Sequence, residues 1–166
     1  MKPADEAGPV TMGVSSRLTD QEIAPDAELA RFIASASAGS GAGAVVSFCG
    51  IARPGSGGAA VHELHLDHYP GMTERSLQSI AEDCARRFEV DQVSVVHRCG
   101  TIRPGEVIVF VAAASLHRRA AFNAADYLMD RLKTEAVFWK RERGPDGARW
   151  IEPTEADRAD QARWED

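Results

Sequence analysis

The stretch VIVFVAAASLHRRAAFNAADYLMDRLKTEAVFWKRE, Val107 to Glu142, decides how the rest of the chain is read. Val107 to Ala114 is apolar enough to predict a central strand. Ala121, Phe122, Ala125, Leu128, Met129 and Leu132 then recur at helical spacing, so an amphipathic helix is expected over roughly Arg118 to Lys133. Val137 to Arg143 returns as a strand. Gly144-Pro145-Asp146-Gly147 has the composition of a hairpin turn and leads into Ala148 to Ile151.

Working upstream, Val93 to Val96 begins another strand, and Pro104-Gly105 supplies the turn back into the central one. Met72 to Phe88 carries Leu77, Ile80, Ala81, Cys84 and Phe88 at helical spacing and predicts a second amphipathic helix. Val61 to Tyr69 alternates as a half-buried strand does, and Pro70-Gly71 breaks it. Gly43 to Ile51 reads as a short buried strand, followed by a glycine-rich loop from Arg53 to Gly58. Pro25 is placed to open a short helix through Leu29, Phe32 and Ile33, which the run from Ser35 to Gly43 ends. Strand pairs separated by single helices favour an α+β domain over a doubly wound sheet. The expected organisation is a loose leader over residues 1–16, one domain over 17–152 and an acidic tail over 153–166.

Composition narrows the function classes. The 166 residues hold 19 Lys plus Arg against 25 Asp plus Glu, a formal charge of −6. The chain is not a polycation, and its basic residues gather between His117 and Arg149, so a small anionic ligand is a better expectation than nucleic acid. No run approaches the roughly 18 apolar residues that span a bilayer, and no secretory signal is evident at the start, so a cytoplasmic protein is expected. Three cysteines, Cys49, Cys84 and Cys99, without a CxxC pair point to neither a disulfide framework nor a zinc site. His62, His65 and His68 lie three apart, but on a strand His65 points away from the other two, so no metal site is expected.

Two segments carry candidate chemistry. In SLHRRAAF, Ser115 to Phe122, a strand ends and a helix begins, and His117, Arg118 and Arg119 gather where free N–H groups favour an anion such as phosphate. The bland alternative is that the arginines are solvated or pair with Asp126 or Asp130. In LKTEAVFWKRE, Leu132 to Glu142, Lys133 ends a helix and Lys140 follows the apolar run Val137-Phe138-Trp139. A lysine held against aromatic surface loses proton affinity and can act as a base or nucleophile. Spacing alone leaves open whether the two lysines meet.

Together with LDHYPGMTE (Leu66 to Glu74) and VVHRCGTIRPGE (Val95 to Glu106), these segments, in this order and spacing, resemble the catalytic large subunits of molybdopterin synthase from about Gly43 to Glu152. The resemblance implies an α/β hammerhead-type domain with a mixed, largely antiparallel sheet and two main amphipathic helices. It implies a homodimer that binds a small ubiquitin-like sulfur-carrier subunit at each end, giving a heterotetramer. The carrier's C-terminal Gly-Gly thiocarboxylate would supply sulfur to cyclic pyranopterin monophosphate, forming the dithiolene of molybdopterin, with no metal or other cofactor held by the large subunit. Lys133 and Lys140 would be catalytic and bind substrate. Arg53, His117 and Arg118 would complete the substrate site. No cysteine matches a catalytic position. One departure stands out: where the family often carries an arginine that reaches across the dimer, Pro153 and Thr154 follow Glu152, with Arg149 or Arg158 as possible substitutes. That departure supports the alternative of a non-catalytic anion-binding or carrier-binding scaffold of the same fold.

Overall fold

In a computed structural model, which describes residues 13–39, 41–56 and 58–165, the elements follow the order β1 (Gly13–Thr19), α1 (Pro25–Gly39), β2 (Ala44–Ile51), β3 (Gly55–Ser56), β4 (Ala59–Ala60), β5 (Glu63–His68), α2 (Met72–Phe88), β6 (Gln92–Arg98), β7 (Gly100–Ile102), β8 (Val107–Ser115), α3 (Arg118–Glu135), β9 (Phe138–Gly144), β10 (Gly147–Ile151) and α4 (Glu155–Ala162). The fold is α+β. Two four-stranded sheets, ordered β1-β6-β8-β2 and β10-β9-β5-β7, accompany the small β3-β4 pair. Among the described residues only β1 and β6 run parallel; the other pairings of these strands are antiparallel.

Alternation along β8 explains the layering. Val109, Val111 and Ala113 point with Val93 and Val95 into a core shared with α2 and α3, which includes Leu77, Cys84, Leu128 and Leu132. Phe110, Ala112 and Ala114 point the other way, with Val96, against Phe32 and Ala36 of α1. A strand covered on both faces needs an uninterrupted apolar sequence, which is why Val107 to Ala114 shows no polar alternation. The second sheet has a smaller core of Ala52, Leu66 and Ile102, and Phe138 packs against both this cluster and the α2–α3 core. Phe138 therefore couples the sheet that carries β9 to the body of the protein.

Several boundaries differ from expectation. Residues 1–12 of the expected leader lie outside the described residues, whereas Gly13 to Ser16 open β1 and pair in register with β6 from Gly13↔Gln92 onward. Backbone pairing at a sheet edge tolerates small, half-exposed side chains, so this strand has no apolar signature. The expected acidic tail over 153–166 contains α4. Thr154 caps that helix, its hydroxyl accepting from the Asp157 N–H at 3.1 Å while the Asp157 carboxylate accepts from the Thr154 N–H at 2.9 Å. Its far end is anchored on α3 by Arg163 and Trp164, which both donate to Asp130, at 2.8 and 2.7 Å. Part of the expected Arg53–Gly58 loop forms the β3-β4 pair.

Candidate functional site

The site is assembled around β9. With a period of two, Phe138 and Lys140 face inward while Trp139 and Arg141 face out, where Trp139 meets Trp150 edge-on at 5.5 Å. Lys140 is central in its sheet, opposite Leu66 on β5 and Ile151 on β10. The start of the strand is tied to α2. Thr73 donates from its hydroxyl to the Val137 carbonyl at 2.6 Å and accepts from the Tyr69 N–H at 2.9 Å, and Ser76 accepts from the Val137 N–H at 3.2 Å. Tyr69 and Thr73 of the Leu66–Glu74 motif, with Ser76 just beyond it, thus clamp the start of the strand that carries Lys140.

Lys140 opens onto a cavity of about 510 Å3 lined by Phe48, Cys49, Gly50 and Ile51 of β2, by Arg53, His97, Ile108 and Val109, and by Met129, Leu132 and Lys133 of α3. A Cβ at Gly50 would come within 2.8 Å of the Val109 side chain, so this wall requires glycine. The structure brings together three of the expected site residues, Arg53, Lys133 and Lys140. It is a mixed surface, apolar toward β2 and cationic toward α3 and β9. A depression of about 290 Å3 between α1 and β1 is lined by Glu28 and Arg31, which are already paired with each other at 2.8 Å.

The two lysines differ electrostatically. Burial lowers the proton affinity of Lys140, the Asp157 carboxylate works against this, and the Lys133 charge adds to it. Lys133 is exposed and donates from Nζ to Asp157 Oδ1 at 2.9 Å. The Asp157 carboxyl is held at about 2: its burial opposes ionisation, and hydrogen bonds from Lys133 and Thr154 outweigh it.

His97 forms a further part of the wall. It is buried and stacked on Phe138 at 4.4 Å, and its Nδ1 donates to the Arg98 carbonyl at 2.8 Å. Burial is the main cause that drives its pKa from 6.5 to about 4, and the Lys140 charge adds to it. A native value below the unfolded one means that the stability His97 contributes is complete above pH 6.5 and is lost as pH falls through about 4. In His97→Phe, which keeps the stacking, acid unfolding followed by circular dichroism is expected to lose slope within that window. An unchanged slope would show that His97 does not titrate there.

His117 and Arg118 stand elsewhere in the same chain. Both are exposed at the N-terminus of α3, with His117 as the extended N-cap residue. Fifteen residues of helix separate Arg118 from Lys133, a rise of about 22 Å. The two halves of the expected substrate site are therefore not brought together within one chain. Among the described residues Arg118 and Arg119 form no ion pair with Asp126 or Asp130: helix rise sets them about 10 Å or more apart along α3, and Arg163 reaches both carboxylates, at 2.7 and 2.8 Å. Arg149, one suggested stand-in for the missing arginine, is engaged by Glu142 at 2.7 Å. His65 bonds to Thr101 and Asp67, both at 3.0 Å, and among the described residues no cluster of three His, Cys, Asp or Glu could hold a metal ion.

Sequence reasoning missed Asp157 and His97, although signals for Asp157 and for the lysines were present. Thr154-x-x-Asp157 is a capping box ahead of a helix. The chain has only 3 lysines, Lys2, Lys133 and Lys140, against 16 arginines, and two of those three meet in one cavity. Lysine, unlike arginine, readily shifts its proton affinity when buried.

Residues 18–135 match the model of the family described as MoaE protein. The molybdopterin synthase catalytic subunit of Caulobacter vibrioides is 49% identical over 148 residues, covering 89% of this chain and 95% of the relative. Among solved structures, the molybdopterin biosynthesis MoaE protein from Burkholderia ambifaria superimposes with a TM-score of 0.74 at 37% identity, over 94% of this chain and 99% of that one. The fold also recurs, at a TM-score of 0.64 and 17% identity, over 89% of this chain and 92% of that one, in a protein–protein complex of subunits 1 and 2 of molybdopterin-converting factor from Helicobacter pylori.

Proposed function

The chain belongs to the MoaE protein family, and from that premise we propose that it is the catalytic subunit of a molybdopterin synthase, which transfers sulfur from the C-terminal thiocarboxylate of a small carrier subunit to cyclic pyranopterin monophosphate. The observation that carries the reading is the meeting of Lys133, Lys140 and Arg53 on one cavity, with Lys140 desolvated and Lys133 charge-paired. Sulfur leaving an acyl carbon places negative charge on the sulfur and on the acyl oxygen, and a fixed ammonium offsets both. An amine of lowered proton affinity beside it takes and returns the proton that the substitution on the pterin requires. The Arg53 guanidinium suits the cyclic phosphate. A Gly-Gly tail has no side chains and can enter a cleft walled by β2 at Gly50. The two-subunit complex from Helicobacter pylori supports a small-subunit partner.

A homodimer completes the site in this reading. His117 and Arg118 lie about 22 Å from Lys133 along α3, beyond the reach of one small substrate. A second copy presenting its α3 N-terminus would add an anion-binding helix end to the lysine cavity. Among the described residues no helix is long and apolar enough to cross a membrane, and a cytoplasmic setting accompanies the proposed biosynthetic role.

The test is single-turnover conversion of cyclic pyranopterin monophosphate by this protein mixed with a thiocarboxylated carrier. Formation of the dithiolene is expected. Carrier binding without sulfur transfer would leave a scaffold of the same fold.

A further inference from the structure

We propose that Asp157 is a positioning residue that divides the work of the two lysines: its carboxylate holds Lys133 as the ammonium, turned toward α4, and leaves Lys140 as the group that moves the proton. The inference rests on the synthase reading and goes further, because it assigns the two roles.

Two ammonium groups in one cavity repel, so one yields its proton first, and burial already favours loss from Lys140. Asp157 adds to that asymmetry by direct contact with Lys133. Its Oδ1 accepts from Lys133 at 2.9 Å, while Oδ2 accepts from the Thr154 N–H at 2.9 Å and from the Thr154 hydroxyl at 2.8 Å. The carboxylate is thus fixed on both sides. The helix that carries it is also fixed at its far end, where Arg163 and Trp164 reach Asp130, one turn before Lys133 on α3. The Trp164 ring packs edge-on against Phe88 at 5.6 Å and Tyr127 at 5.5 Å. The Thr154 hydroxyl on the Asp157 N–H and the C-terminal anchor hold the helix without the Lys133 contact.

The charged and titratable groups facing the pair are few. Lys140 faces Lys133 across the cavity, feels Asp157 at longer range and shares its walls with Arg53, the neutral His97 and the Cys49 thiol, whose ionisation burial disfavours. Lys133 has Asp157 in direct contact. The device lies in a segment beyond residues 18–135, the part matched by the family model, and Thr154, standing where an arginine was expected, provides the cap that orients it.

The chain's 3 lysines make the test direct, since selective 13C labelling gives one Cε signal each for Lys2, Lys133 and Lys140, assigned with Lys133→Arg and Lys140→Arg. In the wild type Lys140 is expected to titrate below the ordinary lysine range. In Asp157→Asn the Lys133 Cε signal should move, because its contact with the carboxylate is lost, and the Lys140 midpoint should fall, because the charge that opposes the effect of its burial is gone. The alkaline limb of the single-turnover pH–rate profile should fall with it, whereas Asp157→Glu should restore both. A Lys140 midpoint within the ordinary lysine range in the wild type overturns the proposal without any variant. An unmoved Lys133 Cε signal and alkaline limb in Asp157→Asn, with the Trp164 indole N–H signal retained, also overturns it. A wild type that makes no dithiolene instead sinks the synthase reading, while the lysine titration still reports on Asp157.

Discussion

Replacing Lys140 by alanine is expected to slow single-turnover sulfur transfer by about 10²–10⁴-fold, the range lost when a positioned proton carrier is removed. The fold should survive. Residue 140 sits between β5 and β10, with backbone partners on both sides that do not depend on its side chain, and that side chain borders an open cavity rather than a packed core. Removing a desolvated amine also relieves a cost of burial. Lys133→Ala should lose about 10²–10³-fold, as expected when one preorganised charge is taken from a developing anion. The two variants should differ in kind. A small exogenous amine can enter the space left at Lys140 and carry a proton, so the rate of Lys140→Ala should recover with added amine and recover more as pH rises. Lys133→Ala should not respond, because a diffusing cation does not replace a fixed one. The measurement is product formation under single-turnover conditions with carrier binding checked separately. If Lys140→Ala retained a rate within tenfold of wild type, Lys140 would not be the proton carrier.

The clearest helical period in the chain, Leu77-Ile80-Ala81-Cys84, gave α2 its bounds because all four residues are buried on one face. The same held for β8, whose unbroken apolar run reflects cover on two faces. What escaped was structure whose stability comes from partners rather than from pattern. Gly13 to Ser16 join a sheet through backbone bonds to β6, and nothing in a Gly-Val-Ser-Ser sequence announces that edge. Helix α4 has no buried residue of its own, and its acidic composition suggests solvent; its stability comes from Thr154 at one end and from Arg163 and Trp164 on Asp130 at the other.

The site was partly legible for a related reason. Lys133 and Lys140 lie 7 residues apart in sequence, and a helix end followed by an inward-facing strand position brings them to one cavity. His97 and Asp157 come from distant parts of the chain, and the stacking of His97 on Phe138 and the docking of α4 on α3 place them there. His117 and Arg118 share a helix with Lys133 in sequence yet are separated by its length.

That separation gives the second large effect. If each site takes its lysines from one copy and His117 with Arg118 from the other, then Lys140→Ala and Arg118→Ala homodimers should each be nearly inactive, and mixing them under conditions of subunit exchange should restore activity. In a mixed dimer one site combines both defects and the other contains neither, because the Arg118→Ala copy contributes intact lysines and the Lys140→Ala copy contributes an intact α3 N-terminus. Random exchange makes half the dimers mixed, so about one quarter of all sites should regain wild-type activity by the two-fold symmetry of such a dimer. A site built within one chain predicts no recovery, since each copy keeps its own defect. The readout is the burst of dithiolene product per mole of chain, before and after exchange. A burst near one quarter of wild type would require α3 to serve two sites at once, its last turn carrying the lysine and its first turn the anion-binding end. No recovery after verified exchange would return His117 and Arg118 to the solvated surface.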